Sequence, residues 1–162
     1  EAMIQAAMLR ARDYAISQFD AVASYMKTLG VDKPLHIGET GWASSANELY
    51  GDEGSKATDE YKEHLYYQHM RRWTNENNIS CFFFEAFDEP WKDANNPGGS
   101  ENYFGLISLQ GQAKRALWEE VDAGIFKGLT RDGHPITKTF DGDEAKLMAT
   151  VPAPPVAALQ AH

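Results

Sequence analysis

The stretch that indicates the fold is Pro34-Leu35-His36-Ile37-Gly38-Glu39-Thr40-Gly41-Trp42-Ala43-Ser44. Leu35 and Ile37 alternate with less apolar residues, which is the period of a short strand, and we predict a strand over 35–39. Glu39 therefore stands at the end of a strand. The glycines on either side of it allow a second backbone or a ligand to come close.

Glu39 is followed three residues later by Trp42. A carboxylate beside a flat apolar ring is the pair of groups that a sugar-cleaving site requires, because one attacks the anomeric carbon and the other supports the sugar ring. The alternative is a strand end with an ordinary surface glutamate and a tryptophan packed beneath it. These residues by themselves leave both interpretations open.

Two later stretches repeat the pattern of a strand that ends in carboxylates and aromatic rings. They are Cys81-Phe82-Phe83-Phe84-Glu85-Ala86-Phe87-Asp88-Glu89-Pro90-Trp91-Lys92 and Glu101-Asn102-Tyr103-Phe104-Gly105-Leu106. In this order, the three stretches resemble glycoside hydrolase family 17, the β-1,3-glucanase and β-1,3-glucan transglycosylase family, in its bacterial and fungal branch. The resemblance covers about residues 1 to 118.

The resemblance implies an α/β fold, a (β/α)8 TIM barrel, and retention of anomeric configuration. It implies that Glu39 is the nucleophile at the end of strand seven. At 162 residues, however, the chain is shorter than a complete barrel of about 250 residues, and it starts with Glu1 inside a predicted helix. We therefore expect the C-terminal part of a longer barrel, about strands 7 and 8 with flanking helices, over 1–123. We expect an irregular extension over 124–150 and a Pro/Ala-rich tail over 151–162.

Hydrophobic periodicity predicts the main elements. Apolar residues at three- and four-residue steps predict a helix over 2–29. A second helix is predicted from Thr58 to about 75–78, with Tyr66, Met70 and Trp73 as its buried stripe. The strand over 79–87 is nearly continuous in hydrophobicity, so we expect burial on both faces. The remaining predictions are an extended piece over 103–109, a turn at 110–111, a closing helix over 113–122 and turns at 130–133 and 140–143.

Composition excludes several classes of partner. The chain has 24 acidic and 15 basic residues and a formal net charge of −9, which disfavours nucleic acid and anionic membranes. Cys81 has no second cysteine to pair with. His64 and His69 are five residues apart and do not share a helix face, so we expect no metal there. The acidic run at 141–144 lacks the rest of a calcium loop. We expect no cofactor.

The other site residues come from the resemblance and from their chemistry. Glu89 and Lys92 match a carboxylate and a lysine that the family places near the nucleophile, and a lysine there would favour the charged form of Glu39. Glu85 could substitute as the acid if its side chain pointed into the cleft, but it lies within an apolar strand, which makes it a weaker candidate. Candidate stacking platforms for sugar rings are Trp42, Trp91, Tyr103 and Phe104.

The family's acid/base is a glutamate of an Asn-Glu pair at the end of strand four, upstream of the residues present here. Asn47-Glu48 and Asn75-Glu76 have the dipeptide without the context, and neither is assigned the role. The polar loop 43–56 is expected to line the cleft.

Two hypotheses follow. The first is a fragment of a β-1,3-glucan hydrolase or transglycosylase that pairs with its N-terminal half or self-associates. The second is a non-catalytic half-barrel that binds glucan or another chain. The resemblance favours a periplasmic, cell-envelope or secreted location.

Overall fold

The computed structural model describes residues 1–47 and 56–152. The helices, in chain order, are α1 (Ala2–Thr28), α2 (Glu60–Glu76), α3 (Trp118–Asp122) and α4 (Glu144–Met148). The strands are β1 (His36–Thr40), β2 (Ser80–Phe83), β3 (Gln112–Ala113), β4 (Thr130–Arg131), β5 (His134–Pro135) and β6 (Thr137–Lys138). Turns of 3₁₀ helix lie at Ser100–Asn102, Arg115–Leu117 and Thr139–Gly142.

The centre of the molecule is a β-α-β unit. β1 and β2 pair in parallel, with His36 opposite Ser80 and Thr40 opposite Phe83, and α2 forms the crossover between them. Parallel neighbours need such a crossover, and a helix is the usual one. Because parallel strands point the same way, the segments that follow β1 and β2 leave the sheet at the same edge. The predicted helix over 2–29 and the strand over 35–39 are confirmed to within a residue at each end.

The start of α2 is fixed by a cap. The carboxylate of Asp59 accepts a hydrogen bond from the backbone N–H of Lys62 at 2.8 Å, and Glu60 and Glu63 follow in the first turn. A capping carboxylate and early acidic residues satisfy free N–H groups and complement the helix dipole. The predicted helix therefore begins two residues later than Thr58 and ends at Glu76, within the range expected.

Two apolar clusters hold the fold together. The first lies between α1 and α2 and contains the buried residues Ile4, Met8, Tyr61, Leu65, Tyr66 and Met70. The second lies under the chain that follows β2 and contains Leu106, Ile107, Ala113, Ala116 and Leu117. The predicted stripe of α2 is confirmed at Tyr66 and Met70, and Trp73 is partly buried and packs edge-on against Phe19 with ring centroids 5.5 Å apart.

The second predicted strand is wrong in length and in burial. β2 ends at Phe83 rather than at 87, and only an isolated bridge joins Phe87 to Ile107 farther on. Phe82 is 69% exposed. Its ring contacts His36 of β1 edge-on at 4.6 Å, on a face that no described residue covers. Successive residues of β2 alternate between exposed and partly buried. Three consecutive phenylalanines do not show this alternation in the sequence.

Beyond β2 the chain forms short elements instead of one closing helix. The extended piece predicted over 103–109 is present mainly as the bridges of Ile107. The helix predicted over 113–122 is a 3₁₀ turn followed by α3, with Leu117 and Trp118 buried as expected.

Beyond Gly124, where the sequence pattern weakens, the structure has a hairpin of β4 and β5. β6 lies beside β3. The turn of the hairpin uses Asp132 and Gly133, both with positive φ. Leu147 of α4 is fully buried. The predicted tail over 151–162 lies outside the described residues from position 153 onward.

Within residues 1–47 and 56–152, no helix has the length and apolar character needed to cross a membrane. The same residues contain no group of three histidine, cysteine or acidic side chains arranged to hold a metal ion.

Gly41 and Gly105 lie where two backbones touch. A Cβ on Gly41 would stand 2.0 Å from the carbonyl oxygen of Phe84, and one on Gly105 would stand 2.0 Å from the backbone nitrogen of Asp88. Neither contact can be relieved by moving a side chain. Gly41 therefore allows the chain leaving β1 to touch the chain leaving β2, as the glycines around Glu39 suggested.

We predict that Gly105→Ala destabilises the protein by about 2 kcal/mol or more, the upper range for overpacking. Gly98→Ala is the matched control, because its Cβ would meet only the side chain of Asn47, which is exposed and can move. The measurement is the free energy of unfolding from denaturant titration. Equal effects of the two substitutions would contradict the close approach at Gly105.

Candidate functional site

Glu39 lies one residue before the end of β1, and its side chain is exposed. The structure gives it no hydrogen bond or ion pair to any described residue. Together with Tyr14 and Phe19 of α1 and Ile37 of β1, Glu39 lines a largely apolar concave surface. An exposed carboxylate that no residue of 1–47 or 56–152 engages is free to approach a bound molecule.

Glu85, Glu89 and Lys92 form a second feature, the carboxylate–lysine cluster. Lys92 Nζ lies 2.8 Å from a carboxylate oxygen of Glu89 and 3.3 Å from both carboxylate oxygens of Glu85. The ammonium also stands over the ring of Phe84, 3.8 Å from its centroid, a favourable cation–π geometry. The cluster begins two residues after β2 ends and therefore lies at the same sheet edge as Glu39.

The cluster separates the acidities of its two carboxyl groups. Burial, with a hydrogen bond to Glu89, raises the pKa of Glu85 to about 7, against the lowering effect of Lys92. Hydrogen bonds from Lys92 and from Glu85 lower the pKa of Glu89. Desolvation lowers the pKa of Lys92, but its bonds to the two glutamates outweigh this and raise the pKa. The cluster therefore raises the pKa of one of its carboxyl groups and lowers that of the other.

The four predicted platforms divide into packed and open rings. Trp42 is half-buried: its indole lies 5.2 Å from the ring of Tyr66, and its N–H donates to the carbonyl of Ala57 at 3.0 Å. Phe104 packs edge-on against Phe84 at 5.7 Å. Tyr103 is half-buried and donates its hydroxyl to the carbonyl of Pro97 at 2.9 Å. Trp91, at 59% exposed, presents the most open face of the four.

Of the two Asn-Glu dipeptides, Asn75-Glu76 lies within the described residues and does not provide a second carboxylate at this edge. Glu76 is the last residue of α2, and that helix end leads into the amino end of β2, opposite to Glu39. Glu48 lies outside the described residues, as does most of the polar loop predicted to line the cleft. The described start of that loop is held inward: Ala43 is buried, and the Ser44 N–H donates to the carbonyl of Tyr103 at 2.9 Å.

Sequence reasoning missed a buried polar network around Lys114. Its Nζ lies 2.7 Å from Asp88 Oδ1 and 2.7 Å from Ser44 Oγ. Asp88 also accepts a hydrogen bond from the N–H of Gly105 at 3.0 Å. Lysine and aspartate are mostly surface residues, so neither suggested an internal role. The one available signal was the position of Asp88 between the strand and the Glu89–Lys92 pair.

Asn102 is a second residue that sequence reasoning missed. It is fully buried. Its amide donates to the carbonyls of Asp93 and Asn96, and its oxygen accepts from the N–H of Asp93 at 2.9 Å. These bonds close the loop over 93–102, which directly follows Trp91 and Lys92. A buried asparagine that satisfies three backbone groups fixes a loop in one conformation.

Comparison with known proteins gives a consistent set of relatives. No protein-family model matches the chain. It is 33% identical over 85 residues to a glucan 1,3-beta-glucosidase of Arthroderma benhamiae, which is 48% of this chain and 26% of that protein. It is 34% identical over 99 residues to a probable glucan endo-1,3-beta-glucosidase of Aspergillus terreus, which is 56% of this chain and 15% of that protein.

Solved structures extend the comparison. An endo-laminarinase from Formosa Hel1_33_131 is 63% identical, with a TM-score of 0.89 over 94% of this chain and 39% of that one. A glycoside hydrolase family 17 β-1,3-glucanosyltransferase from Rhizomucor miehei is 30% identical, with a TM-score of 0.53 over 67% of this chain and 36% of that one. The chain thus spans well under half of each relative, and its described residues contain part of the fold with no closed barrel. These comparisons show that the chain is related to glycoside hydrolase family 17.

Proposed function

We propose that this chain is the C-terminal part of a retaining β-1,3-glucan hydrolase or glucanosyltransferase, with Glu39 as the nucleophile. The observation that carries the proposal is the position of Glu39. It is an exposed carboxylate at the carboxyl end of β1, unpartnered among the described residues, at the same sheet edge as the carboxylate–lysine cluster that follows the neighbouring parallel strand. In (β/α)8 enzymes the catalytic groups come from this end of the strands. The names of the relatives supply the substrate class.

The chemistry assigned to Glu39 is attack on the anomeric carbon. Its carboxylate oxygen forms an ester with the sugar while the bond to the leaving oxygen breaks. A second carboxylic acid, about 5 to 5.5 Å away in retaining enzymes, protonates that oxygen and later deprotonates water or a sugar hydroxyl. We propose that this acid/base belongs to a part of the enzyme outside these 162 residues, because the resemblance places it on an Asn-Glu pair at the end of strand four, upstream of the residues present here.

The remaining residues support the site in this proposal. Lys92 keeps Glu89 ionised and places a positive charge at the edge where Glu39 must stay charged. Glu89 and Glu85 offer hydrogen-bond partners to sugar hydroxyls. Trp91 offers an open ring on which a sugar can stack. Trp42, Tyr103 and Phe104 shape the walls by packing, since their own rings and polar atoms already have partners.

The test is digestion of laminarin by the complete enzyme, with cellulose oligosaccharides as the control for linkage. Products shorter than the substrate would show hydrolysis, and products longer than it would show transfer to a sugar acceptor. Carbon-1 configuration followed by NMR early in the reaction tests retention, since β-configured products are expected first. Binding of laminarin without cleavage would contradict the catalytic proposal and favour the glucan-binding half-barrel.

Lys92→Ala is predicted to raise the pKa of Glu85 above about 7, because Lys92 lowers it in the intact cluster. Glu85 has a folded-state pKa above its ordinary value of 4.5. Its contribution to stability is therefore full below that value and is lost as pH rises through the folded pKa. Because Lys92→Ala raises the folded-state pKa of Glu85, the loss of this contribution should be complete only at a higher pH than in the unmodified protein. It should also lower turnover and move the acidic limb of the pH–rate profile upward, since the site loses a cation.

The measurement is a carbon-13 NMR titration of the glutamate carboxyl groups, with Glu85→Gln to assign the signal, together with the pH–rate profile. Lys92→Arg is the matched control, because it retains the charge. It should keep the titration midpoint of Glu85 and the midpoint of the acidic limb of the pH–rate profile close to those of the unmodified enzyme. An unchanged titration and profile in Lys92→Ala would mean that Lys92 is a surface ion-pair partner only.

A further inference from the structure

Lys114 stands where three segments of the site's edge meet. Its ammonium donates to the hydroxyl of Ser44 in the segment after β1 and to the carboxylate of Asp88 in the segment after β2, both at 2.7 Å. Its Nζ also lies 3.4 Å from the backbone carbonyl of Tyr103. Tyr103 belongs to the third segment, the stretch 103–105 farther along the chain. The Lys114 side chain is 5% exposed, so these are contacts in the protein interior.

The partners of Lys114 are themselves joined to one another. The hydroxyl of Ser44 donates to the carbonyl of Tyr103 at 3.1 Å, and the Ser44 N–H donates to the same carbonyl at 2.9 Å. The carboxylate of Asp88 accepts from the N–H of Gly105 at 3.0 Å. A single buried cation therefore closes a network that includes backbone or side-chain groups of all three segments, and such a network specifies one arrangement.

Glu63 of α2 forms the remaining side of this pocket. It is fully buried, and its nearer carboxyl oxygen is 3.8 Å from Lys114 Nζ, too far for a hydrogen bond. Burial raises the pKa of Glu63 well above its ordinary value, although the charge of Lys114 acts in the opposite direction. Asp88 Oδ1 and Ser44 Oγ, both at 2.7 Å, lie nearer the ammonium than Glu63 does, so the side-chain hydrogen bonds of Lys114 go to the loops and not to α2.

We propose that Lys114 is a positioning residue. It fixes the segment after β1 to the segment after β2 and thereby sets where Glu39 stands relative to Glu89. The inference rests on the proposed function for its catalytic consequence. The linkage through the chain is short: Ser44 is five residues after Glu39, and Asp88 directly precedes Glu89. A displacement of about 1 Å between reacting groups can lower a rate by roughly 100-fold.

The test compares Lys114→Met with the double variant Lys114→Met/Asp88→Asn in the complete enzyme. The single variant leaves a buried carboxylate without its cation, which is strongly destabilising, whereas the double variant removes both charges. The amide introduced by Asp88→Asn would retain an oxygen for the N–H of Gly105. We expect the double variant to recover most of the unfolding midpoint while its kcat stays roughly 10- to 100-fold low at little changed KM.

Ser44→Ala provides a milder variant that keeps the ion pair. It removes only the hydroxyl that joins Lys114 to the segment after β1, so we expect the unfolding midpoint to stay near that of the unmodified enzyme while kcat falls. Lys62→Met is the matched control. Lys62 is also a buried lysine paired with an aspartate, Asp59, but the pair lies at the start of α2. This control should lower the unfolding midpoint without lowering kcat in the surviving folded enzyme.

Hydrogen exchange supplies a readout that does not depend on activity. The backbone amide at position 44 should exchange faster in Lys114→Met/Asp88→Asn and in Ser44→Ala than in the unmodified enzyme, while amides within α2 stay protected. If the unmodified enzyme fails to cleave laminarin, the proposed function is wrong and this exchange still tests the linkage. Full recovery of kcat in the double variant, or unchanged kcat and exchange in Ser44→Ala, would overturn the positioning role.

Discussion

Glu39→Gln is expected to abolish cleavage of laminarin by the complete enzyme. The amide that replaces the carboxylate cannot attack the anomeric carbon, and removal of a covalent nucleophile costs roughly 10⁴-fold or more in kcat. The substitution should leave the unfolding midpoint nearly unchanged, because the structure gives the exposed Glu39 side chain no hydrogen bond or ion pair to the described residues that could be lost. Activity and thermal unfolding are measured on the same preparation.

Glu76→Gln is the matched control for this substitution. It makes the same chemical change on an exposed glutamate at the carboxyl end of α2, away from the edge where Glu39 lies, and it should retain activity. A fluorinated glycoside that traps the covalent intermediate should add its mass to the peptide that contains Glu39. A label on another carboxylate, or turnover by Glu39→Gln close to that of the control, would refute the assignment.

The elements that the sequence predicted well are those with local causes. α1 and α2 follow from apolar spacing, and the start of α2 follows from the cap at Asp59 and the acidic first turn. The edge that carries Glu39 was also predictable, since a strand that ends in a carboxylate with adjacent glycines is a local pattern. Gly41 then proved necessary for the reason suggested, because a side chain there would collide with the backbone of Phe84.

The features that the sequence did not predict depend on distant residues. The exposure of Phe82 is decided by what covers its face of the sheet, and three consecutive phenylalanines show no period from which the open face could be read. Lys114 and Asp88 can be buried because each neutralises the charge of the other, although 26 residues of sequence separate them. The usual surface preference of both residue types points the wrong way. The packing of Trp42 against Tyr66 is likewise visible only when α2 is in place.

The 162-residue chain on its own is predicted to be inactive on laminarin and to self-associate. Parallel sheets are normally covered on both faces, yet β1 and β2 form a two-stranded sheet with Phe82 exposed. α1 adds further exposed apolar side chains, among them Tyr14, Val22 and Tyr25. Contiguous apolar surface and open strand edges both promote association. If the general acid lies elsewhere in the enzyme, as we propose, a folded chain would still lack a factor of roughly 10² to 10⁴ in rate.

Light scattering on the expressed chain tests the association, and a laminarin assay with and without the remainder of the enzyme tests the activity. Phe82→Ser should reduce self-association, because it removes the most exposed ring from the open face of the sheet. Leu129→Ser is the matched control: Leu129 is also exposed, at 57%, but it belongs to the segment that follows α3, and its loss should change association little. Supplying the remainder of the enzyme should restore both a defined size and cleavage, since it would bring the cover for β1 and β2 together with the acid. A monomeric chain that cleaves laminarin unaided would refute the proposal that the acid/base lies outside the 162 residues. It would also refute the prediction that β1 and β2 need the remainder of the enzyme to cover them.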